Sequence, residues 1–412
     1  MIDVNLLRES PEKFKKSLEL KNGDPALINR FLDLDKDWRD KVTALDKLRA
    51  LKNTLGSDDR DKSRELKDKE KEYTAEIDIL AKEREVIIEQ IPNIPAPDVP
   101  YGKDESGNVV LHEVGERTKF DFEHKDYMSL AGGLINIEKA SEVSGSRFGY
   151  ILGDLVILEF ALVRLAMDKL MPHGFIPVIP PVMIKPEVFR NMGKIKFIEG
   201  GDVFYLPEDD LYLAASSEHT IGPFHMNDTF SYKSLPKRYM GFSTCFRREA
   251  GSYGKDTKGI LRVHQFDKVE MFSFCLPENS EEEHKFLVER QEELMQTLKL
   301  PYQTVAICTG DMGFGDYRQI DIETWMPSQG KYRETNSASN TTDFQARGIN
   351  VKYKDKEGKK NYVHTLNATA FAIGRMLIAI IENYQTEKGA IIVPEALRKY
   401  VGKSEISAYH RD

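Results

Sequence analysis

Residues 246–272 contain two stretches of alternating charged, aromatic and apolar residues on either side of a glycine-rich segment, in the order FRREAGSYGKDTKGILRVHQFDKVEMF. Because successive side chains of a strand point to opposite faces, the alternation predicts a β-hairpin. Arg247 and Glu249 would share one face of its first strand. The second strand would have a polar face and an apolar face, made respectively by Arg262, His264, Phe266, Lys268 and Glu270 and by Leu261, Val263, Val269 and Met271.

The polar face of this hairpin suits a ligand that carries phosphate, a flat base and an ammonium group. Arginine binds phosphate oxygens through a planar fork of donors, and an aromatic ring such as that of Phe266 can stack on a purine. A buried carboxylate needs a donor, for example an amino group. A ladder of cross-strand ion pairs on an exposed sheet would produce the same alternation. The hairpin alone leaves both interpretations open.

These residues belong to a chain of 412 residues with a net charge of −8, which is long enough for two domains. The charge gives no global signal for nucleic acid, and residues 1–100 hold twenty Lys and Arg against twenty-three Asp and Glu. No stretch is apolar over the length of a membrane span, and the opening MIDVNLLRESPEKF lacks the apolar core of a signal peptide. We therefore expect a cytoplasmic protein with no membrane partner.

The three cysteines, Cys245, Cys275 and Cys308, lie far apart in the sequence and show no paired spacing. A disulfide framework or a structural zinc site normally needs cysteines, or cysteines and histidines, in closely spaced pairs. The sequence therefore predicts neither a disulfide framework nor a zinc site.

Two long helices that fold back on each other are predicted for residues 27–91. Apolar residues recur there by threes, fours and sevens in a charged background, from Leu27 to Leu55 and again from Leu66 to Ile91. This is the pattern of an antiparallel coiled coil. The polar segment 56–63 would form its tip, and the four prolines of IPNIPAPDVP would form a linker. Such an arm could be a dimerisation or spacer element, or it could reach a large partner.

After the linker the sequence becomes globular. Helical spacing predicts helices at 151–171, at 280–298 and, as the last helix, at 367–385. Strands are predicted at 174–184, 203–206, 211–214, 303–308 and 318–326, and Pro180 and Pro181 place the first of these at an edge or an interface. Strands that recur as hairpins with few crossover helices predict an α+β fold, in which a mainly antiparallel sheet is flanked by helices.

Three stretches together resemble a known family. GFIPVIPPVMI at 174–184, the hairpin at 245–272 and HTLNATAFAIGRMLIAIIENYQ at 364–385 resemble, in order, motifs 1, 2 and 3 of class II aminoacyl-tRNA synthetases. The resemblance narrows to the seryl-tRNA synthetase family and covers essentially the whole chain, with VSGSRF, NSASNTTDFQAR and GAIIVPEAL among the matching stretches. It implies a tRNA-binding N-terminal domain at 1–100, with the helical arm, and a class II catalytic domain at 101–412.

The resemblance also implies an activity. Enzymes of this family join L-serine to ATP, forming seryl-adenylate and pyrophosphate, and then transfer the seryl group to the 3′ end of tRNA(Ser) and, where it is present, of tRNA(Sec). ATP would be a substrate and Mg²⁺ would accompany it. The family further implies a homodimer that forms through motif 1, and no zinc is expected here.

Site residues are implied only at positions that match the family motifs. Arg247 and Arg375 would be catalytic, and Glu334 and Ser337 would hold Mg²⁺ with the ATP. The ATP site as a whole would comprise Arg247, Glu249, Arg262, Val263, Phe266, Glu334, Ser337 and Arg375. The serine site would comprise Ser216, Glu218, Arg247, Glu270, Asn367 and Thr369.

Plainer interpretations exist for several of these positions. Glu334 alone would be a surface acid, and Arg375 would be a surface arginine of a helix. Asn367 and Thr369 both suit a helix cap. For the whole chain, the alternatives are a non-catalytic relative that retains the fold and an enzyme that loads a small amino acid onto a carrier protein.

The sequence departs from the family pattern in three places. Ser216 and Ser217 stand where Thr and Ala are usual, which retains a hydroxyl. Asn336 and Ala338 replace Ser and Cys, and we interpret them as packing positions. The tip of the arm is shorter than is typical, which predicts few phosphate contacts and a shallow salt dependence of tRNA charging. In the hairpin loop, Lys255 and Lys258 could contact RNA.

Overall fold

The computed structural model describes residues 1–55, 59–251 and 258–407. The chain forms two compact units, Met1–Ile94 and Pro95–Asp412. The division between them falls inside the proline-rich segment, where backbone restriction by proline prevents a helix from continuing. In the described ranges, no helix is both long enough and apolar enough to cross a membrane.

The first unit is helical and contains the predicted arm. Its helices are α1 Val4–Glu9, α2 Pro11–Leu20, α3 Ala26–Asn53 and α4 Arg60–Ile88. Ion pairs join Asp35 to Arg84 and Arg49 to Glu70 across α3 and α4, so the two long helices run antiparallel as predicted. The predicted tip is only partly correct, because α4 already begins at Arg60, while residues 56–58 lie outside the described ranges.

The second unit combines helices with several small sheets and one large sheet. Its described helices, in chain order, are α5 Tyr127–Ala131, α6 Ile137–Ser144, α7 Asp154–Leu170, α8 Pro186–Asn191, α9 Ile195–Glu199, α10 Glu218–Ile221, α11 Ser280–Thr297, α12 Phe344–Gly348, α13 Ile373–Asn383 and α14 Glu395–Val401. Its described strands are β1 Val109–Val114, β2 Ile135–Asn136, β3 Tyr150–Ile151, β4 Phe175–Val178, β5 Met183–Ile184, β6 Tyr205–Leu206, β7 Leu211–Leu213, β8 Thr229–Ser231, β9 Lys237–Phe246, β10 Gln265–Cys275, β11 Tyr302–Ala306, β12 Arg318–Met326, β13 Lys331–Asn340, β14 Lys352–Lys354, β15 Lys360–Tyr362, β16 His364–Ala372, β17 Ile391–Ile392 and β18 Glu405–Ile406.

An eight-stranded sheet forms the centre of this unit, in the order β1-β11-β12-β13-β16-β10-β9-β4. Every neighbouring pair is antiparallel except β4 with β9, which confirms the predicted α+β class with a mainly antiparallel sheet. Val269 and Met271 of β10 pack into the main core together with α7, α11 and α13. Glu270 lies between them in the strand, so its side chain points to the opposite face of the sheet. That face carries the candidate site.

The segment 174–184 provides the edge strand of the sheet, and α7 precedes it in the chain. β4 pairs with β9 alone, which confirms the predicted edge position, but the predicted strand 174–184 is too long. β4 ends at Val178, before Pro180 and Pro181, and Met183–Ile184 forms β5 in another sheet. The preceding helix α7 is buried along Leu155, Leu158 and Leu162 but exposes Phe160 on another side. Proline can occupy an edge strand because the N–H group that it lacks has no ladder partner there.

The prediction of a last helix at 367–385 is wrong in two respects. Residues 364–372 form the central strand β16, the helix begins only at Ile373, and α14 follows it. β16 is buried on both faces from Thr365 to Phe371, and polar and apolar residues alternate from Thr365 to Ala370. This alternation is a strand signal that the prediction missed, because the apolar residues from Phe371 onward, typical of a buried helix, were extended back over it.

Candidate active site

Two adjoining pockets lie on the open face of the central sheet. The outer pocket is lined by eight of the predicted site residues, namely Arg247, Glu249, Arg262, Val263, Phe266, Glu334, Thr369 and Arg375. The inner pocket contains Glu218, Glu270, Ser337 and Asn367 and shares Arg247, Glu334 and Thr369 with the outer one. The hairpin residues, residues 334–337 and residues 367–375 meet because β9, β10, β13 and β16 are close neighbours in one sheet, and Glu218 joins them from α10.

Arg247 lies where the two pockets meet. It follows directly after β9, and its backbone N–H continues the pairing by donating to the carbonyl of His264 at 2.9 Å. Its Nε donates to the carbonyl of Ala215 at 3.2 Å, and its guanidinium lies 5.3 Å from the centre of the Phe266 ring. These contacts hold a cation beside a flat aromatic surface, the pairing that a phosphorylated purine requires.

Glu249 and Arg262 close one side of the outer pocket. Glu249 has a φ of 55°, a left-handed conformation that is uncommon for a residue with a side chain. Its Oε2 accepts a hydrogen bond of 2.6 Å from Nη1 of Arg262. The alternation predicted that Glu249 would lie on the first strand of the hairpin and Arg262 on the second, on the same face. Because β9 ends at Phe246 and β10 begins at Gln265, the segment between the strands positions both residues instead.

Arg375 and Glu334 form the other side of the outer pocket. Nη1 of Arg375 lies 3.1 Å from Oε2 of Glu334 and also donates to the backbone carbonyl of Glu334 at 2.7 Å. Burial would raise the pKa of Glu334, but the Arg375 guanidinium outweighs it and holds the pKa below its usual value. The side chain of Glu334 is half exposed and that of Arg375 one quarter exposed, so the two residues form an ion pair at the surface of the pocket that they line.

Glu218 is a buried anion at the rear of the inner pocket. It is 6% exposed, and Nζ of Lys194 lies 2.5 Å from its Oε1, which also accepts from Gln345 at 3.2 Å. Burial acts to raise the pKa of Glu218, but the charges of Lys194 and its neighbours lower that pKa to about 2. The carboxylate is therefore ionised at neutral pH and presents a negative charge to the pocket.

Glu270 is the second buried acid of the inner pocket and is 1% exposed. Its Oε2 lies 2.7 Å from Nζ of Lys268 and accepts a hydrogen bond of 2.9 Å from the Thr369 hydroxyl. Burial raises the pKa of Glu270, with the negative charge of Glu218 acting in the same direction and Lys268 acting against it. Asn367 and Thr369 lie in β16 and line the pocket, so they are not helix caps.

Oxygen atoms that could share a divalent cation with phosphate cluster around Glu334. Ser337 lines the inner pocket, and its hydroxyl accepts from Gln319 at 3.2 Å. Burial, together with the charge of Glu334, raises the pKa of Asp321 well above its usual value. Among the described residues, no three His, Cys, Asp or Glu side chains form a ready metal cage. A carboxylate and a hydroxyl instead fit Mg²⁺, which takes few protein ligands and keeps phosphate and water in its shell.

Two residues lie outside both pockets although the sequence placed one in the serine site and the other on the polar face of the hairpin. The hydroxyl of Ser216 accepts from the backbone N–H of Glu218 at 3.3 Å, so Ser216 supports the position of that acid. His264 was expected on the polar hairpin face, but its ring packs against Phe148 and Phe204 and its Nδ1 meets the carbonyl of Arg247. Of the two loop lysines, Lys258 is exposed and Lys255 lies outside the described residues.

Sequence reasoning missed several residues of the inner pocket. Lys194 and Asp316 come from loops that carry no recognised motif, and Lys268 was placed on the polar face without a role. Asn336 was interpreted as a packing position, but its amide donates to the carbonyls of Thr369 and Ala370 at 3.1 and 2.7 Å. The buried polar types in GKIKF at 193–197 and in GFGD at 313–316 were the available signal.

Comparisons with known proteins agree with this geometry. Residues 204–384 match the tRNA synthetase class II core domain (G, H, P, S and T), and residues 1–95 match the seryl-tRNA synthetase N-terminal domain. The chain is 40% identical to the serine–tRNA ligase of Thermobifida fusca, with 98% of each chain covered. It is 42% identical to that of Thermococcus onnurineus, with 100% and 98% covered. The chain belongs to the seryl-tRNA synthetase family.

Solved structures of this family also match over the full length. The seryl-tRNA synthetase of Pyrococcus horikoshii, crystallised with ATP, gives a TM-score of 0.93 at 39% identity, with 100% of both chains covered. The cytoplasmic serine–tRNA ligase of Naegleria fowleri, in complex with AMP, gives 0.89 at 32% identity, with 100% and 99% covered. A prolyl-tRNA synthetase of Giardia lamblia shares the fold alone, with a TM-score of 0.55 at 17% identity over 66% and 54% of the two chains.

Proposed function

We propose that this chain activates L-serine with ATP to form seryl-adenylate and pyrophosphate. It then transfers the seryl group to the 3′ end of tRNA(Ser), and of tRNA(Sec) where that tRNA is present. One observation carries the proposal beyond family membership. An arginine-lined pocket with an aromatic wall adjoins a pocket with two buried acids, and the pockets meet at Arg247.

In this proposal the outer pocket binds ATP. Phe266 stacks on the adenine with Val263 beside it, Glu249 orients the adenine, and Arg262 and Arg375 bind phosphate oxygens. Arg247 holds the α-phosphate together with the carboxylate of serine. A carboxylate oxygen attacks the α-phosphorus, the bond to the β-phosphate breaks, and pyrophosphate leaves with the electron pair. Arg247 and Arg375 are the catalytic residues because they stabilise the negative charge of this displacement.

The inner pocket binds serine. Glu218 and Glu270 accept hydrogen bonds from the ammonium and the hydroxyl, and Asn367 and Thr369 complete the wall of the pocket. Ser216 contributes through Glu218, whose backbone it supports. A pocket with buried polar groups rejects alanine, because those groups lose their partner when the hydroxyl is missing. Threonine is rejected because its extra methyl group has no space.

Glu334 and Ser337 are the residues that would hold Mg²⁺ together with the phosphates of ATP. When bound, the ion neutralises phosphate charge during displacement. The N-terminal unit, with its helical arm, is proposed to bind tRNA, and residues 101–412 to carry out catalysis. The chain is further proposed to act in the cytoplasm as a homodimer that forms through motif 1.

Amino-acid-dependent exchange of pyrophosphate into ATP tests the proposal directly. We expect exchange with serine, at least about 100-fold less with alanine or threonine, and none when Mg²⁺ is removed with EDTA. A lack of exchange with serine would contradict the activity and favour a non-catalytic relative. Exchange with serine but no charging of tRNA(Ser) would favour a ligase that serves a carrier protein.

A further inference from the structure

A small three-stranded sheet at one end of the catalytic unit has two very different faces. Its order is β15-β14-β8, with β14 antiparallel to β15 and parallel to β8. Phe230 and Tyr353 point into a core cluster that also contains Phe272 and Phe274. The opposite face, which we call the basic face, consists of Thr229, Ser231, Lys352, Lys354, Lys360 and Tyr362, by the strand register.

Positive charge is concentrated here in a chain that is negative as a whole. Residues 229–237 and 347–362 hold eight Lys and Arg against two Asp and Glu. One of these acids, Asp355, accepts hydrogen bonds from the backbone N–H groups of Glu357 and Lys359, so it serves the turn between β14 and β15. In the ranges that the structure describes, none of the seven lysines of these two segments has an ion pair with a carboxylate, namely Lys233, Lys237, Lys352, Lys354, Lys356, Lys359 and Lys360.

One cross-strand pair of the basic face opposes folding. Lys354 lies directly opposite Lys360 in the antiparallel pair, and like charges at such positions repel. Both side chains are exposed. A local arrangement that costs stability without a compensating contact is more often found at functional surfaces than elsewhere.

Tyrosine rings lie among the lysines. Nζ of Lys233 and of Lys356 each lie 5.9 Å from the centre of the Tyr232 ring. Nζ of Lys352 lies 4.9 Å from the centre of the Tyr362 ring. The hydroxyls of Thr229 and Ser231 lie beside Lys352 and Lys354 in the register. Ammonium groups, hydroxyls and aromatic rings on one surface are the donors and platforms that a nucleic-acid backbone requires.

We propose that the basic face binds the phosphate backbone of the tRNA substrate. The inference rests on the proposed function, because that function requires a tRNA whose 3′ end reaches the pockets. β16 begins at His364, two residues after the end of β15, and its pocket residues Asn367 and Thr369 follow about 10 and about 17 Å further along the strand at about 3.3 Å per residue. RNA that extends from the pockets over the catalytic unit can therefore reach the basic face. The basic face then supplies phosphate contacts, of which the arm has few because its charge is mixed.

Neutralising three lysines tests the proposal. The variant Lys354→Gln, Lys356→Gln and Lys360→Gln is compared with Lys119→Gln, Lys331→Gln and Lys388→Gln, which removes three exposed lysines elsewhere on the same unit. We measure the Kd for a tRNA(Ser) transcript at several salt concentrations, together with serine-dependent pyrophosphate exchange. We expect the first variant to weaken tRNA binding roughly 10-fold and to reduce the salt slope by about two to three, with exchange unchanged.

The corresponding Arg variant keeps the charges and should retain tRNA binding. A Kd and salt slope in the Gln variant that equal those of the control variant would overturn the proposal. A parallel loss of exchange in the Gln variant would also contradict a role limited to RNA. Absence of exchange in the unmodified protein would instead contradict the proposed function, so the two failures are distinguishable.

Discussion

At the scale of single residues, the inner pocket depends on how its two buried acids are neutralised. Glu218 is paired with Lys194, and Glu270 with Lys268 and Thr369. A carboxylate that is buried without a partner is unstable, so each pairing is necessary for the pocket to exist. The partners of the two acids also decide how much negative charge remains for a substrate ammonium group.

The Thr369 hydroxyl is predicted to be important for serine use. Thr369→Val keeps the shape but removes the 2.9 Å hydrogen bond to Glu270. We expect kcat/KM for serine in pyrophosphate exchange to fall by roughly 10- to 100-fold, because a hydrogen bond to a charged group is worth about 1.5–3 kcal/mol. The control is Thr304→Val, which removes an equally long bond to Glu292 outside the pockets and should leave exchange unchanged. Equal effects of both variants would contradict a role in the site.

At the scale of elements, Asp35 connects three helices of the first unit. It is fully buried in α3, and it accepts hydrogen bonds from Arg8 of α1, Arg39 of α3 and Arg84 of α4. Burial would raise the pKa of Asp35, but the bond from Arg8 and the charge of Arg84 hold the pKa below its usual value. The cluster fixes the base of the arm.

Replacing Asp35 should separate the two half-reactions. Asp35→Asn leaves the arginines without their anion, and we expect the first unit to lose about 3 kcal/mol of stability. Charging of tRNA should fall, while serine-dependent exchange, which we propose takes place in the other unit, should persist. Urea unfolding of the full chain measures the loss of stability, and assays of tRNA charging and of serine-dependent pyrophosphate exchange measure the two activities. Asp33→Asn, which changes an exposed acid of the same helix, should leave both unchanged. A parallel loss of exchange would argue against the separation.

The contact of α7 with β10 predicts a pH dependence of stability. Burial and the neighbouring carboxylate of Asp267 raise the pKa of Glu159 on α7 to about 8. The folded protein therefore holds the proton of the Glu159 carboxyl more tightly than the unfolded chain does. The stabilisation that this proton provides is complete below the usual pKa of a glutamate and is lost as pH rises through about 8. The free energy of unfolding should therefore fall between pH 5 and pH 8. In Glu159→Gln this fall should be smaller by on the order of 2 kcal/mol.

Urea unfolding at the two pH values measures this effect of Glu159. The control is Glu282→Gln, which changes an exposed acid of α11 and should retain the pH dependence of the unmodified protein. An unchanged pH dependence in Glu159→Gln would show that other groups cause it.

At the scale of the whole molecule, α7 and motif 1 leave apolar side chains in contact with solvent. Phe160 of α7 is 57% exposed, and Ile176 and Ile179 are 55% and 82% exposed. Exposed apolar residues are typical of interfaces, and the proposed symmetric dimer would bury the same surface of both copies.

Phe160→Glu should prevent the proposed dimer from forming. The side chain is mostly exposed in one chain, so folding should be unaffected, whereas a charge inside an apolar interface should shift the protein to monomers at micromolar concentration. Sedimentation of the unmodified protein and of the variant measures the fraction of dimer. Phe224→Glu, at a phenylalanine that is 67% exposed outside motif 1, should remain dimeric. If the unmodified protein sediments as a monomer, the homodimer is wrong.

The residue pattern alone was enough to predict the helical arm, the sheet class and the hairpin with Arg247, Arg262 and Phe266. Heptad spacing and strand alternation are local, so they can be recognised without any knowledge of the neighbours. The alternation could not show that Glu249 lies in a left-handed turn, because the end of a strand depends on what pairs with it.

The end of β16 and the partners of the buried acids were decided only by the tertiary structure. The alternation from Thr365 to Ala370 is a local strand signal, but the apolar residues that follow it suit a strand or a helix, and pairing with β10 and β13 fixed the strand. Lys194 and Gln345 reach Glu218 from distant parts of the chain. Such partners carry no local signal, because burial and opposite charge select them only once the chain has folded.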